Sequence, residues 1–346
     1  MRLLRYVPVW QISLTKIREL VREPEALFWV FVFPILLALA LGIAFRSSGP
    51  EEIAIGVQTG DAAAEIERAL QRAEGVRSVV LDPDEARERL RTGRVALVVI
   101  PGDPPTYWYD PTRQESEASR RVVDDALQRE AGRTDVFVAE TQEMTEKGSR
   151  YIDFLIPGLL GMNIMGTGMW GIGFYIVTAR QNKLLKRLVA TPMRRSEFLL
   201  GQIFGRLFLL VFEVGILVLL ANLIFDVPVR GSLVTLGFVS VLGAMTFAGM
   251  GLLVASRAKT VEGVSGLMNL VLMPMWILSG VFFSTSRFPE VMQPVVQALP
   301  LTALNDALRE VMLDGASLFS ILDEVALTAV WGVATFVVAL LVFRWR

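Results

Sequence analysis

The sequence has 346 residues, of which 53% are hydrophobic, and a formal net charge of −1. It contains no cysteine and no histidine, so disulfides, thiolate metal ligands and a cysteine nucleophile are excluded and the usual general base is missing. The apolar residues occur in runs of about 20 or more, the length that a helix needs to span the hydrocarbon core of a bilayer. We therefore expect an α-helical polytopic membrane protein with no catalytic residue and no metal site.

The first 46 residues are predicted to lie on the membrane and then to cross it. Residues 1–24 interleave basic side chains such as Arg5 and Lys16 with apolar ones such as Trp10, a mixture typical of a cytoplasmic amphipathic helix in the membrane interface. Residues 25–46 are predicted to form transmembrane helix 1, in which neighbouring helices can compensate for Pro34. No small-residue cleavage site follows it, so we interpret this helix as a retained anchor rather than a removed signal peptide.

Residues 47–150 have the composition of a soluble domain. Strand-like alternation and helix-like periodicity follow one another along this stretch, which predicts an inserted α/β domain between helices 1 and 2. Asp82 is the predicted N-cap of one of its helices. Its many acidic residues are interpreted as a solvated surface rather than a cation site. The predicted strands are residues 52–58, 76–81 and 94–100, the predicted helices are 62–74, 83–91 and 114–130, and residues 107–109 either close one more strand or line a groove.

Residues 151–346 are predicted to form a block of five transmembrane helices, which brings the total to about six. The first two helices of this block are joined by a polar loop, residues 178–197, and the last two by residues 284–323, whose apolar pieces are too short to cross a bilayer. We expect this second connection to re-enter the membrane from the outside. The five predicted spans are residues 154–178, 198–225, 232–255, 264–283 and 325–343.

Six spans place both termini on the same side of the membrane. The N-terminal segment, the 178–197 loop, the loop with Arg257 and Lys259, and the C-terminus then lie together, and all of them are basic. By the positive-inside rule that side is the cytoplasm. The inserted α/β domain is accordingly expected to be extracytoplasmic.

Some of the predicted spans contain ionisable or amide side chains, which are costly inside a bilayer and are functional candidates. Arg206 and Glu213 are seven residues apart, about 10.5 Å along a helix. Direct pairing would require both side chains to stretch, so we expect each of them to meet another helix. Asn163, Asn222 and Asn269 are weaker cases of the same kind. A structural polar clamp is the favoured interpretation, and substrate recognition is the alternative.

Four stretches in order resemble the permease subunit of type-2 ATP-binding-cassette (ABC) exporters. They are REPEALFWVFVFPILL at 22–37, DFLIPGLLGMNIM at 153–165, LLKRLVATPMRRSEFLLGQI at 184–203 and LPLTALNDALREVML at 299–313. The resemblance covers essentially the whole chain and is least distinctive in the α/β domain. It implies a membrane subunit that pairs with a second permease subunit, identical or related, and binds ABC ATPase subunits on its cytoplasmic face.

The printed sequence has no G-x-x-x-x-G-K-[ST] phosphate-binding loop, the usual cradle for nucleotide phosphates. ATP and Mg²⁺ are therefore expected on the partner subunit, with no cofactor in this chain and no nucleic-acid partner.

The resemblance assigns the 178–197 loop to a short coupling helix that docks into the ATPase. Pro192 agrees with this physically, because proline disfavours a helical residue before it and removes a backbone donor. The alternative is that the basic residues of this loop only fix the membrane topology of the chain. That role would not require leucines interleaved with the charged residues. The residues assigned to ATPase coupling are Arg180, Lys183, Leu184, Leu185, Lys186, Arg187, Leu188, Thr191 and Pro192.

The resemblance also places an outer gate at Asn305, Asp306, Arg309 and Glu310, in the re-entrant segment. A substrate route lined by the second and fifth spans would lie at the two-fold axis of a dimer. Methionines could supply adaptable apolar surface there, although packing is the plainer interpretation of methionine in a membrane helix. The residues considered for this surface are Met162, Met165, Met169, Met268, Met273, Met275 and Trp276.

The resulting hypothesis is an ATP-driven exporter of an amphiphilic or hydrophobic compound, of the drug or lipid class, in the inner cell membrane. An ion-coupled transporter that uses Glu213 is one alternative and would respond to an ion gradient without ATP. A ligand-sensing membrane receptor is another, and it would need a cytoplasmic signalling domain. A membrane enzyme is disfavoured by the absence of histidine and of a paired-carboxylate motif.

Overall fold

The structure is a computed structural model. It describes residues 15, 18, 22–44, 52–73, 75–134, 137, 148, 150–183 and 195–342, with only the backbone described for residues 26, 114 and 195–204. The chain divides into two compact units, which we treat separately. The inserted unit is Ser47–Glu143, and the membrane unit combines Met1–Arg46 with Met144–Arg346.

The membrane unit begins with an apolar helix that changes its winding. An α-helical turn, Pro24–Leu27, continues into a π-helical turn, Phe28–Val32, and then into a regular α-helix, Phe33–Ala44. We call the whole run α1. Proline at its first position suits a helix start, because the proline nitrogen has no hydrogen to leave unsatisfied there.

The inserted unit is an α/β layer structure, as its sequence predicts. Its sheet has the strand order β2-β1-β3-β4, with β1 parallel to both neighbours and β4 antiparallel to β3. The side chain of Asp82 accepts a hydrogen bond from the Glu85 amide at 2.8 Å, which confirms the predicted N-cap of α3. The elements are β1 Ile53–Gln58, α2 Ala63–Gln71, β2 Val76–Leu81, α3 Pro83–Arg91, β3 Leu97–Ile100, β4 Thr106–Tyr109 and α4 Gln114–Glu130.

The two faces of this sheet carry separate cores. Ile55 and Leu97 point to the face covered by α2 and α4, whereas Val98 packs on the opposite face against α3. This alternation is the expected result of successive side chains pointing to opposite sides of a strand. Burial raises the pKa of the Tyr107 phenol to about 12, and the hydrogen bond of that phenol to Asp124 Oδ1 at 3.1 Å acts in the same direction.

Five long helices and two shorter ones complete the described part of the membrane unit. Short 3₁₀ turns at Thr285–Arg287 and Glu290–Met292 precede α9, and a π-helical turn, Glu310–Asp314, follows α10. Residues 284–323 are therefore built from short pieces, as expected. The helices are α5 Tyr151–Gln181, α6 Arg195–Phe225, α7 Leu233–Ala255, α8 Val261–Leu278, α9 Gln293–Gln297, α10 Pro300–Arg309 and α11 Leu322–Val342.

Within the described ranges, five helices are long and apolar enough to cross a membrane, namely α5, the Gly205–Phe225 part of α6, α7, α8 and α11. The predicted first span is shorter, because the apolar run of α1 comprises five π-helical and 12 α-helical residues. The count of six spans therefore stays a prediction. The predicted extent of the fifth span, to residue 283, is wrong: α8 ends at Leu278, and Gly280 then adopts a left-handed conformation with φ of 67°.

Helix α5 lies at the centre of the membrane unit. Its apolar stretch is 83% buried, compared with 22% for α8 and 17% for α11. Glycine lets α7 approach it closely: a Cβ atom added at Gly251 of α7 would lie 2.6 Å from the Met169 carbonyl oxygen of α5. Small residues at a helix interface are the usual device for such contacts in membranes. The backbones of α7 and α5 therefore pack directly against each other, and this packing requires glycine on α7.

We predict that Gly251→Ala destabilises the membrane unit, because its new methyl group meets backbone and not a movable side chain. Overpacking of this kind costs about 1–3 kcal/mol, and thermal unfolding of the purified protein in detergent should show a lower midpoint. Gly237→Ala is the matched control on the same helix, since nothing lies within 4 Å of its added Cβ. Equal midpoints for the two variants would contradict the packing described here.

Candidate functional site

An ion pair lies along α6, inside the membrane unit. Arg206 Nη1 is 2.8 Å from Glu213 Oε1, and Arg206 Nη2 is 3.0 Å from Glu213 Oε2. The side chains are 13% and 3% exposed. The expectation that each residue would avoid direct pairing is therefore wrong. The two side chains span two helical turns on one face, and the guanidinium fork meets both carboxylate oxygens.

Helix α5 adds a hydroxyl group to this pair. The Thr167 hydroxyl accepts a hydrogen bond from Arg206 Nη2 and lies 3.2 Å from Glu213 Oε2. It is also 2.7 Å from the Asn163 carbonyl oxygen. A hydroxyl has one hydrogen, so Thr167 can donate to only one of these two oxygens at a time.

Asn163 extends the network from α5 to α1. Its Nδ2 donates to the Val30 carbonyl oxygen at 3.0 Å, in the π-helical turn. One connected set of polar groups thus joins three helices, and we call Asn163, Thr167, Arg206 and Glu213 the inner polar cluster. Desolvation of two charges is expensive, and removal of one partner from a buried pair is far more damaging than replacement of both.

A second polar cluster holds the end of α8. Asn305 Nδ2 donates to the Ser279 carbonyl oxygen at 2.8 Å, and Arg309, one helical turn later on α10, donates to the Gly280 carbonyl oxygen. The last carbonyl groups of a helix have no partner within it and carry partial negative charge. Asn305 and Arg309 therefore cap α8 from a neighbouring helix, and we call them the outer clamp.

Arg309 is held in place from several sides. Its Nη1 is 3.0 Å from Asp306 Oδ1, and its Nε is 3.4 Å from the Phe154 carbonyl oxygen. The guanidinium carbon also lies 3.9 Å above the centre of the Phe154 ring, a favourable cation–π position. Three of the predicted gate residues, Asn305, Asp306 and Arg309, are thus brought together. Glu310 begins the following π-helical turn and is not part of the clamp.

The glycines of α5 make room for the clamp. A Cβ atom added at Gly161 would lie 2.0 Å from Asn305 Oδ1, and one added at Gly158 would lie 2.5 Å from the Val281 carbonyl oxygen. The turn after α8 is therefore pressed between α5 and α10. This contact explains why glycine occurs at both positions.

Arg180 does not extend away from the membrane unit. From the last turn of α5 its guanidinium donates to the carbonyl oxygens of Ala255, Ser256 and Ala258, at the end of α7 and in the following loop. Gln181 Nε2 reaches the Lys259 carbonyl oxygen at 3.4 Å. Arg180 therefore joins the last turn of α5 to the end of α7 and the loop after it. Its predicted role in ATPase coupling stays a prediction.

The remaining predicted coupling residues are only partly within the described chain. Lys183 is exposed and has a left-handed backbone, with φ of 54°, just after α5 ends. Such a conformation is uncommon outside glycine and marks a sharp change of chain direction. The other residues lie outside the described ranges, namely Leu184, Leu185, Lys186, Arg187, Leu188, Thr191 and Pro192.

Asn269 belongs to neither polar cluster. It lies on an exposed face of α8 with Leu270, which is 71% exposed, and Met273, which is 55% exposed. Nothing lies within 4 Å of a Cβ added at Gly266, one turn earlier. This face of α8 is open in the single chain.

Thr167, Ser279 and Gly280 take part in these clusters although the sequence pattern did not point to them. Thr167 is four residues after Asn163, a spacing that puts both on one helical face, so the pair could have been singled out. The clamp at Ser279 and Gly280 uses backbone carbonyl groups, which every residue has. The sequence therefore held no signal for it.

Comparison with known proteins agrees with this architecture. The profile of the family described as ABC-2 family transporter protein matches residues 24–341. The chain belongs to this family. It is a multi-pass membrane permease, which matches the polytopic helical fold and the resemblance found in the sequence.

Three relatives illustrate how far the similarity extends. The chain is 24% identical over 331 residues to the "Probable multidrug ABC transporter permease YbhS" of Escherichia coli, covering 86% of each protein. It is 26% identical to the "Linearmycin resistance permease protein LnrN" of Bacillus subtilis, over 59% of this chain and 51% of that one. It is 30% identical to the "ABC transporter G family member 20" of Dictyostelium discoideum over 49% of this chain, but it spans only 23% of that relative's length.

We predict that Glu213→Ala strongly destabilises the permease, because Arg206 is left buried without its counter-charge. The expected loss is about 3–5 kcal/mol, and the double variant Arg206→Met, Glu213→Leu should recover most of it. Thermal unfolding in detergent measures both effects. Glu262→Ala, which removes an exposed carboxylate from α8, is the control and should change little. A double variant as unstable as the single one would rule out a purely structural pair.

We also predict that Arg309→Lys loosens the end of α8. Lysine keeps the charge but loses the planar fork and its stacking on Phe154. The chain has no cysteine, so a single cysteine at Val281, which is fully buried, reports opening through its rate of maleimide labelling. That rate should rise with Arg309→Lys and stay unchanged with Arg287→Lys, which changes an exposed arginine in the 3₁₀ turn that follows α8. Equal rates in both backgrounds would argue against a clamp.

Proposed function

We propose that this permease exports an amphiphilic or hydrophobic compound, of the drug or lipid class, from the cytoplasm or inner leaflet. It would work in the inner cell membrane with ABC ATPase subunits and a second permease subunit, identical or related. Two of the relatives named above, with multidrug and linearmycin resistance in their names, support a substrate of this class. The proposed topology has both termini in the cytoplasm and the α/β unit outside.

The open face of α8 is the observation that carries this proposal. Asn269 is exposed there in the middle of an apolar span, and an amide facing lipid hydrocarbon would lose its hydrogen bonds. Polar residues within membrane spans normally face other protein or a water-containing cavity. This supports a face that contacts the second permease subunit or lines the substrate route between the two subunits.

Fewer methionine side chains are exposed to the proposed route than the sequence suggested. Met162, Met165, Met169, Met268 and Met275 are at most 8% exposed and belong to the core of the membrane unit. Met273 is exposed, and Trp276 is half-buried. Five of the six methionines thus fill gaps between helices, a role for which their flexible side chains are suited. The apolar part of the route would consist of Leu270, Met273 and Ile277.

Force from the ATPase would reach α8 through Arg180. The proposed docking loop starts immediately after α5, and Arg180 and Gln181 bind the carbonyl groups of the 255–259 segment. That segment leads directly into α8, whose first turn is capped by the Thr260 side chain. A displacement of the docking loop would therefore move the cytoplasmic end of α8 as well.

Ion coupling through Glu213 has less support. Both oxygens of that carboxylate contact Arg206, and one also contacts Thr167. A carboxylate already paired in this way has little capacity left for a transported cation. We therefore assign the inner polar cluster to holding α5 and α6 together.

The decisive experiment combines the permease with a candidate ABC ATPase in proteoliposomes and measures ATP hydrolysis across a panel of drugs and lipids. We expect at least one compound to stimulate hydrolysis. Replacing Leu184, Leu185 and Leu188 together with Asp should abolish both co-purification of the ATPase and this stimulation, because the docking surface would lose its apolar contacts. Phe319→Asp is the control, at an 82% exposed apolar residue that the proposed topology puts on the other side.

The two readouts separate the parts of the proposal. No stimulation across the panel, with the ATPase still bound, would refute export of this substrate class. Continued co-purification with the triple Asp variant would refute docking through these leucines.

A further inference from the structure

The first turn of α5 contains a carboxylate that is completely buried and fully used. Asp153 Oδ2 accepts hydrogen bonds from the Gly148 amide at 2.8 Å, the Arg150 amide at 3.1 Å and Arg150 Nε at 2.9 Å. Its Oδ1 accepts a further bond from Arg150 Nη2 at 2.7 Å. A buried charge is costly when its partners are lost, so these four bonds fix the path of the chain as it enters α5.

The same turn binds two irregular connections of the membrane unit. Arg150 Nη2 also donates to the Asp226 carbonyl oxygen at 3.3 Å, in the connection between α6 and α7. The Tyr151 hydroxyl donates to the Phe282 carbonyl oxygen at 2.9 Å, in the turn after α8. Both acceptors are backbone carbonyl groups beyond the end of a helix, where the chain offers no regular helical donor.

Helix α10 is bound to this turn as well. Arg309 stacks on the Phe154 ring, and its Nε is 3.4 Å from the Phe154 carbonyl oxygen. The connection between α6 and α7 also contacts the end of α10, since the Arg230 amide donates to the Met312 carbonyl oxygen at 2.9 Å. Three segments are therefore attached to residues 150–154 of α5, and we call residues 150–154 the latch.

Pro157 separates the latch from the rest of α5. Proline has no backbone N–H, so the Asp153 carbonyl oxygen does not receive the regular helical hydrogen bond from residue 157. Gly158 follows directly, and glycine weakens a helix interior by roughly 0.5–1 kcal/mol relative to alanine. Sharp bends in helices occur at proline. The latch can therefore tilt as a short piece while the remainder of α5 stays in the core.

We propose that Pro157 is a hinge on which the latch moves as one piece with the three segments that it binds. These segments are the α6–α7 connection, the turn after α8, and α10 with the π-helical turn that follows it. Because all three are bound to one turn of helix, they open together and not one by one. The hinge and the latch belong to this chain alone, so their movement is measurable without an ATPase or a transported compound.

The test places a single cysteine in each bound segment of a chain that has none of its own. Val227, Val281 and Val311 are at most 1% exposed, so maleimide reacts with a cysteine at one of these positions when its segment opens. Asp153→Asn removes the charge that binds Arg150, and it should raise the labelling rate several-fold at all three positions. An increase at position 227 alone would overturn the proposal, because the segments would then open independently.

A second substitution tests the hinge itself. Pro157→Ala restores a backbone N–H and a regular helix. Added to Asp153→Asn, it should bring all three labelling rates back toward those of the unsubstituted permease. A merely structural role for Asp153 predicts no such rescue, because independent destabilising changes add. Rates in the double variant that equal or exceed those of Asp153→Asn would refute the hinge.

Asp314→Asn is the matched control, since it neutralises an exposed carboxylate in the π-helical turn after α10. It should leave all three rates unchanged. If Asp153→Asn fails to fold, Arg150→Gln weakens the same latch from a side chain that is 42% exposed, and it should raise the three rates to a smaller extent. Thermal unfolding in detergent shows which variants are folded. Unchanged rates in a folded latch variant would also refute the proposal.

Discussion

The membrane unit is organised by the close approach of other backbone segments to α5. Helix α7 and the turn after α8 approach α5 so closely that a methyl group at Gly251 or Gly158 would meet a carbonyl oxygen at 2.5–2.6 Å. Association of helices within a membrane draws on van der Waals contact and hydrogen bonds, because lipid tails are as apolar as the side chains. Close packing on a central helix is therefore the main source of cohesion available to this unit, and both polar clusters contain or contact residues of α5.

Side chains that bind backbone carbonyl groups recur at the ends and irregular turns of these helices. Arg180 binds carbonyl groups at the end of α7, Asn305 and Arg309 bind those after α8, and Asn163 binds one in the π-helical turn of α1. Each of these places leaves carbonyl groups without a regular helical partner, and water is scarce within a membrane to replace it. The same bonds connect neighbouring helices, so one set of contacts satisfies the backbone and fixes the arrangement of the helices.

This arrangement has a consequence for α8. Its C-terminal end is held by α10, its N-terminal end follows a loop bound by Arg180, and the face between them carries exposed Asn269 and Met273. This arrangement suits the role proposed for α8, because an element secured at both ends and open along one side would move together with its anchors.

The resemblance of four stretches in the sequence indicated the family. Periodicity and composition by themselves determined the membrane character and the alternating elements of the α/β unit. These features follow from local physics: apolar runs of bilayer length, alternation in strands and the capping preference of Asp82. Tertiary structure decided the rest. Arg206 and Glu213 pair directly because side-chain conformations on one helix and the Thr167 hydroxyl on another bring them together, and sequence spacing does not report either. Arg180 turns inward because the loop after α7 offers it carbonyl groups, and α8 ends at Leu278 because α10 caps it there. Such contacts join residues far apart in the chain through groups that every residue carries, so only the folded arrangement could reveal them.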